Sequence, residues 1–358
     1  LHKEIKAFIN EDLNSCPLSK HENTGNRFPH DPKRVQCRQN FRESLLKKAN
    51  LKSKGLFPHQ IVSKLLCKKT STLENEILKI QWDKIRETQM IEMEKESYLS
   101  GGTKNSINFG NLIPLSDVSA SMSGTPMEVS IALGIMVSEL TAPALRNRVL
   151  TFTSVPTWVR LEEGASISDK VKTLKSADWG ASTNFELALD HILDICVENK
   201  FVPKQIPDLI VFSDMQFDET RRLEDSYYGN VQYSTNWETQ YEKMVNKFSQ
   251  AGIKVSGQPW PVPTIVFWNL RGDTEGIPVE SEQPGVKLMS GFSPSLLKYV
   301  LLGEELQENV EIEGDENKTR KDNPQETLQK ILNDSQYDPV REFLSKSTEN
   351  ELREYYFE

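Results

Sequence analysis

Cysteine is scarce in this chain. Cys16, Cys37, Cys67 and Cys196 are the four in 358 residues, and no two form a Cys-x-x-Cys pair. That spacing argues against a zinc or redox motif and points to free thiols in a reducing compartment. The five histidines, His2, His21, His30, His59 and His191, are equally scattered, and with no His-Glu-x-x-His a zinc hydrolase is not expected. No apolar run approaches the ~20 residues that span a bilayer. The opening Leu1-His-Lys-Glu lacks the charged-then-apolar pattern of a secretory signal. The expectation is therefore a soluble, intracellular protein of the cytoplasm with no membrane partner. A Gly-x-x-x-x-Gly-Lys phosphate loop is also missing, which weighs against nucleotide chemistry.

What is present suffices for a sizeable core: 37% of the residues are hydrophobic, and the length allows two domains or one large α/β domain with additions. Charge is unevenly spread. Residues 1–105 carry 20 Lys and Arg against 13 Asp and Glu, a balance of +7, leaving 23 against 39, or −16, for residues 106–358. A basic N-terminal third can meet phosphate backbones or the acidic face of its own neighbour, and the intramolecular option is preferred.

The rhythm of apolar residues divides the chain into a mostly helical N-terminal region (1–105), an α/β domain (106–303) and an acidic C-terminal extension (304–358). Ile61, Val62, Leu65 and Leu66 recur at helical spacing after Pro58, as do Leu73, Ile77, Leu78, Trp82 and Ile85 after Ser71-Thr72. From Cys16 to Arg42, poor in apolar residues and rich in Pro, Asn, His and Arg, a loop or a partly ordered stretch is expected. Gly101-Gly102 marks a junction. Short apolar runs then alternate with helices, predicting a doubly wound, mostly parallel six-stranded sheet. The strands are placed at Leu112–Ser116, Val149–Thr153, Thr157–Leu161, Asp208–Ser213, Thr264–Asn269 and Val286–Met289, the third antiparallel at an edge. Helices are expected at Met127–Leu140, which is apolar nearly all round, and at Ile167–Leu174, Phe185–Val197, Trp237–Phe248 and Ser293–Leu302. Weak helical signals follow at Thr327–Leu332 and Val340–Leu344.

Directly after the first strand stands Asp117-Val-Ser119-Ala-Ser121, joined later by Thr183 and by Asp214 at strand-end positions. A hard divalent cation wants an octahedral oxygen shell and keeps several waters. In an extended or tightly turned segment Asp117, Ser119 and Ser121 face one point while Val118 and Ala120 turn into the protein. Few carboxylates and several hydroxyls leave such an ion under-neutralised, so that it seeks an acidic ligand from elsewhere.

This ordered set resembles the metal-ion-dependent adhesion site (MIDAS) of von Willebrand factor A-like domains. The resemblance implies that Asp117, Ser119, Ser121, Thr183 and Asp214 hold Mg²⁺, or Mn²⁺ or Ca²⁺, and that a partner's Asp or Glu takes the open position. Longer phrases, among them Asp117-Val-Ser-Ala-Ser-Met-Ser-Gly124, Phe212-Ser-Asp-Met-Gln-Phe-Asp218 and Pro263-Thr-Ile-Val-Phe-Trp-Asn-Leu-Arg271, look like domain of unknown function 2828 over residues 55–302. That family joins a helical region to a von Willebrand factor A-like domain, similar to the Ro autoantigen with its RNA-binding helical ring.

Three roles follow. The first is a metal-dependent module binding an acidic group of a protein partner. The second is an RNA-binding ribonucleoprotein component, supported by the charge split. The third, a phosphotransfer enzyme with Asp117 as nucleophile, is disfavoured because no second carboxylate stands two residues on and no Gly-x-x-x-x-Gly-Lys loop is present, so no enzyme is expected. Phe267 and Trp268 read as core, Trp179 as shaping the Thr183 loop, His59 as a hydrogen-bonder at a helix start, and Asp218 and Glu219 as a solvated loop.

Overall fold

The computed structural model describes residues 32–51, 56–67, 70, 72–99, 111–151, 153, 155–177, 185–214, 237–271 and 285–292, with five isolated positions between 329 and 342. Residues 1–297 form one compact unit and residues 298–358 a second. The Gly101–Asn105 junction, the helix expected at Ser293–Leu302 and nearly all of the C-terminal extension lie outside the described residues.

Six strands form one sheet in the order β3-β2-β1-β4-β5-β6: β1 (Leu112–Ser116), β2 (Arg148–Thr151), β3 (Trp158–Arg160), β4 (Asp208–Ser213), β5 (Ile265–Asn269) and β6 (Val286–Ser290). Every pair is parallel except β2 and β3, where Val149 faces Val159 and an antiparallel edge results. The expected α/β architecture, a doubly wound and mostly parallel six-stranded sheet, is thus the one adopted. Pro114 sits in the central strand although it has no N–H to give. The ladder to β2 starts only after it, at Leu115.

Alternation along the strands sends residues to two faces. Ile113, Leu115, Leu209, Val211, Ile265 and Phe267 enter one core with Ala188, Ile192 and Ile195 of α6 (Phe185–Glu198) and Met244 and Phe248 of α7 (Trp237–Ser256). On the other face lies α4 (Thr125–Leu140), anchored where Ser116 Oγ donates to the Ser130 carbonyl (3.3 Å) and Ser130 Oγ to that of Phe212 (3.4 Å). A Cβ on Gly134 would stand 2.1 Å from Ser116 Oγ, so glycine permits this helix-to-strand approach. The all-round apolarity of α4 has a physical cause. Its outer side is covered by α2 (Pro58–Cys67) and α5 (Ile167–Lys175), and α3 (Thr72–Leu99) packs on these two in turn, with Ile61, Val62, Leu73, Leu78, Trp82 and Ile85 buried. Behind this contact Glu139 of α4 accepts from Lys170 Nζ of α5 (2.7 Å) and from the Trp82 indole N–H of α3 (3.0 Å), with Arg86 Nη1 at 3.4 Å.

Two expectations about elements are corrected. The loop expected over Cys16–Arg42 is helical from Pro32 onward in α1 (Pro32–Leu51), residues 16–31 lying outside the described residues. Proline there sits at the first helical position, where its missing N–H costs nothing, and Lys, Arg, Gln, Glu and Leu fill the turns that follow. Its described side chains are mostly exposed, so no apolar stripe announces it. The helix expected at Trp237–Phe248 continues to Ser256. Gly252 does not end it, because it makes room for Trp260: a Cβ there would meet the Trp260 backbone nitrogen at 2.4 Å, and the Trp260 indole donates to Ser256 Oγ at 3.1 Å.

Candidate metal centre

Strand order reverses between β1 and β4: the chain builds outward through β2 and β3 on one side and through β5 and β6 on the other. Loops leaving the carboxyl ends of two such neighbours diverge and open a crevice, the usual binding position in open α/β sheets. Asp117 leaves β1 and Asp214 leaves β4, so the topology alone brings them to that crevice. Asp117 is 2% exposed and Asp214 1%, depths at which a carboxylate needs partners.

Short bonds fix Asp117. The Ser119 N–H donates to its Oδ1 at 2.8 Å, folding the loop back on itself, and Ser213 Oγ donates to its Oδ2 at 2.8 Å from β4. Burial pushes the Asp117 carboxyl above its ordinary value, the Ser119 and Ser213 bonds oppose this, and nearby Asp214 raises it further. The loop then enters a 3₁₀ turn, Ala120–Met122, and Ser119 Oγ and Ser121 Oγ meet at 3.0 Å. Val118 turns inward as expected. Ala120 does not: it is exposed, because the turn starts at that residue and hands the buried position to Met122.

Four of the five sequence-predicted ligands, Asp117, Ser119, Ser121 and Asp214, therefore belong to two neighbouring strand ends. Thr183, with Trp179, Asp218 and Glu219, lies outside the described residues. The donor set suits a small hard cation. The Ser119 and Ser121 hydroxyls hydrogen-bond each other at 3.0 Å, which keeps two neutral oxygens side by side next to Asp117. Among the described residues no three His, Cys, Asp or Glu side chains converge as a metal-ligating group, so a cation would rest on hydroxyls as much as on carboxylates.

Sequence reasoning missed two contributors. Ser213, one residue before Asp214, carries the bond that ties Asp117 to β4. Arg271, two residues past β5, donates from Nη1 to the Ser121 carbonyl (3.1 Å) and stands 3.8 Å from Asp214 Oδ2. The available signal was position, since each flanks the end of a strand in this crevice. His59 differs from its expected hydrogen-bonding role. Its ring stacks on Phe57 (5.6 Å between centroids) and meets the edge of Phe292 (6.2 Å), while its buried Nδ1 has no hydrogen-bond partner among the described residues. Burial holds its pKa below the ordinary value, with Glu128 opposing. Phe267 and Trp268 are core, as expected.

Among the described residues no helix is long and apolar enough to cross a membrane. Residues 111–341 match the model of a family described as Domain of unknown function (DUF7788). An uncharacterised protein of Acanthamoeba polyphaga mimivirus is 32% identical over 260 residues, which cover 72% of this chain and 39% of that protein. The chain thus spans well under half of that relative's length. The crystal structure of the Ro (RSR) protein of Deinococcus radiodurans overlays with a TM-score of 0.39 at 14% identity, covering 85% of this chain and 53% of that one, a likeness too loose to bear on function.

Proposed function

The chain belongs to the family of Domain of unknown function DUF7788, and from that footing we propose that it is a non-enzymatic, metal-dependent binding module. Asp117, Ser119, Ser121 and Asp214, with Thr183 from its loop, hold Mg²⁺ or Mn²⁺ in a MIDAS-type site, and an Asp or Glu of a protein partner completes the shell. The resemblance to domain of unknown function 2828 is read as a shared von Willebrand factor A-like core.

The observation that carries this reading is the Ser119–Ser121 hydroxyl pair at 3.0 Å beside Asp117, at the strand-order reversal. Hydroxyl oxygens bind an ion without adding negative charge to offset its own. The ion's remaining positive charge then favours an anionic ligand. Supporting it is the raised Asp117 carboxyl, since a bound cation relieves the cost of keeping that group ionised.

A crosslinking pull-down with and without chelator tests the proposal. Partners lost on chelation and in Asp117→Ala support it, and a partner set indifferent to both contradicts it. The second reading, an RNA-binding ribonucleoprotein component, rests on the +7 balance of residues 1–105. RNA retained through stringent washing, with no chelator effect, would favour that reading instead.

A further inference from the structure

Arg271 is built into the crevice from two sides. Its own N–H donates to Asn269 Oδ1 at 2.8 Å, shaping the turn that leaves β5. The preceding Leu270 N–H donates to the Ser213 carbonyl at 2.9 Å, which fastens that turn to the end of β4. From this anchored backbone Nη1 reaches across to the Ser121 carbonyl (3.1 Å) and to within 3.8 Å of Asp214 Oδ2. One guanidinium therefore links the Ser119–Ser121 loop to the carboxylate of the neighbouring strand end. The side chain is 38% exposed, so it also has a way out into solvent.

A guanidinium keeps its charge at every working pH. Beside buried Asp214 it offsets part of that carboxylate's charge, and a divalent ion seated on the same carboxylate would stand a few ångströms from it, where like charges oppose one another. We propose that Arg271 is a tethered cation of this site: it holds the ion-free loops together and is driven outward by the arriving ion, thereby setting how tightly the ion binds. This rests on the metal-dependent reading above. Arg271 is a positioning residue here, acting on the ion through charge and through the Ser121 loop.

The test is a Mn²⁺ titration by calorimetry, with ion-free melting recorded alongside, on the full chain and on Arg271→Gln, Arg271→Lys and Asp117→Ala. Arg271→Gln is expected to bind Mn²⁺ on the order of fivefold to tenfold more tightly at low salt and to melt lower without the ion. Arg271→Lys, which keeps the charge, is expected to stay near the wild-type affinity. A wild type that binds no Mn²⁺ while Arg271→Gln does would also support the proposal, with the tether dominant. Equal or weaker affinity in Arg271→Gln overturns the role of Arg271 and leaves the metal site standing. Binding in neither protein, or equal binding in Asp117→Ala, overturns the metal reading and this inference together.

Discussion

Glu139 and Asp117 are both carboxylates withdrawn from water, yet their surroundings are finished in different ways. Glu139, 6% exposed at the side chain, is met by the Lys170 ammonium at 2.7 Å, by the Trp82 indole and by Arg86. Asp117 is met by hydroxyl and amide donors and by a second acid, Asp214, which adds to the effect of burial in pushing its carboxyl up. The first cluster closes its charge inside the fold and ties the N-terminal helices to α4 and α5. The second gathers two buried acids and two hydroxyl oxygens at neighbouring strand ends, with the Arg271 guanidinium 3.8 Å from Asp214 Oδ2. One arrangement is suited to holding parts of the protein together, the other to receiving something from outside.

Breaking the closed cluster should have the largest effect. Lys170→Ala strips Glu139 of its closest cation and is expected to cost about 3–5 kcal/mol in urea denaturation, while the double replacement Glu139→Gln with Lys170→Met recovers most of that. A loss below about 1 kcal/mol for Lys170→Ala would mean that water reaches the pair and that the contrast with Asp117 is overdrawn. Next comes Gly134→Ala, because α4 carries Glu139 near one end and follows the Ser119–Ser121 loop at the other. Its Cβ would collide with Ser116 Oγ, one residue before Asp117, for an expected loss of about 1–3 kcal/mol. An unchanged melting temperature would show that α4 yields freely.

Asp117→Asn sharpens the comparison through pH. A carboxyl whose folded pKa is raised costs stability when ionised, so the penalty is full above the folded pKa and disappears below the ordinary value of 3.8. Without added ion, the asparagine variant should gain on wild type as pH rises from 3.8 through the folded pKa and keep that advantage above it. Wild type more stable than the variant at neutral pH would show that Asp117 is already neutralised within the chain. The smallest effect concerns the face of the sheet that holds the apolar core. Burial pushes the Cys196 thiol up to about 12, so at pH 8 a thiol reagent should label exposed Cys37 and leave Cys196 untouched until unfolding. Rapid labelling of Cys196 under native conditions would mean that the core opens locally.

Much of this is legible in the amino-acid sequence. Strands β1 and β4 stand out to the residue because each is a short apolar run closed by a polar residue. The first helix went unread since its exposed side chains show no apolar period, and the last turns of α7 were lost because the role of Gly252 depends on Trp260, eight residues on. At the site, Asp117, Ser119 and Ser121 are local in sequence and were visible as a spacing. Ser213 and Arg271 act across the sheet, 96 and 150 residues from their partners Asp117 and Ser121, so strand adjacency had to be known before either could be assigned a role.

Thermal melting with and without Mn²⁺, on wild type and Asp117→Ala, tests whether the β1 and β4 ends hold a small divalent cation. Mn²⁺ is expected to raise the melting temperature of wild type and to leave that of Asp117→Ala unchanged. An equal rise in both proteins, or none in wild type, would contradict it.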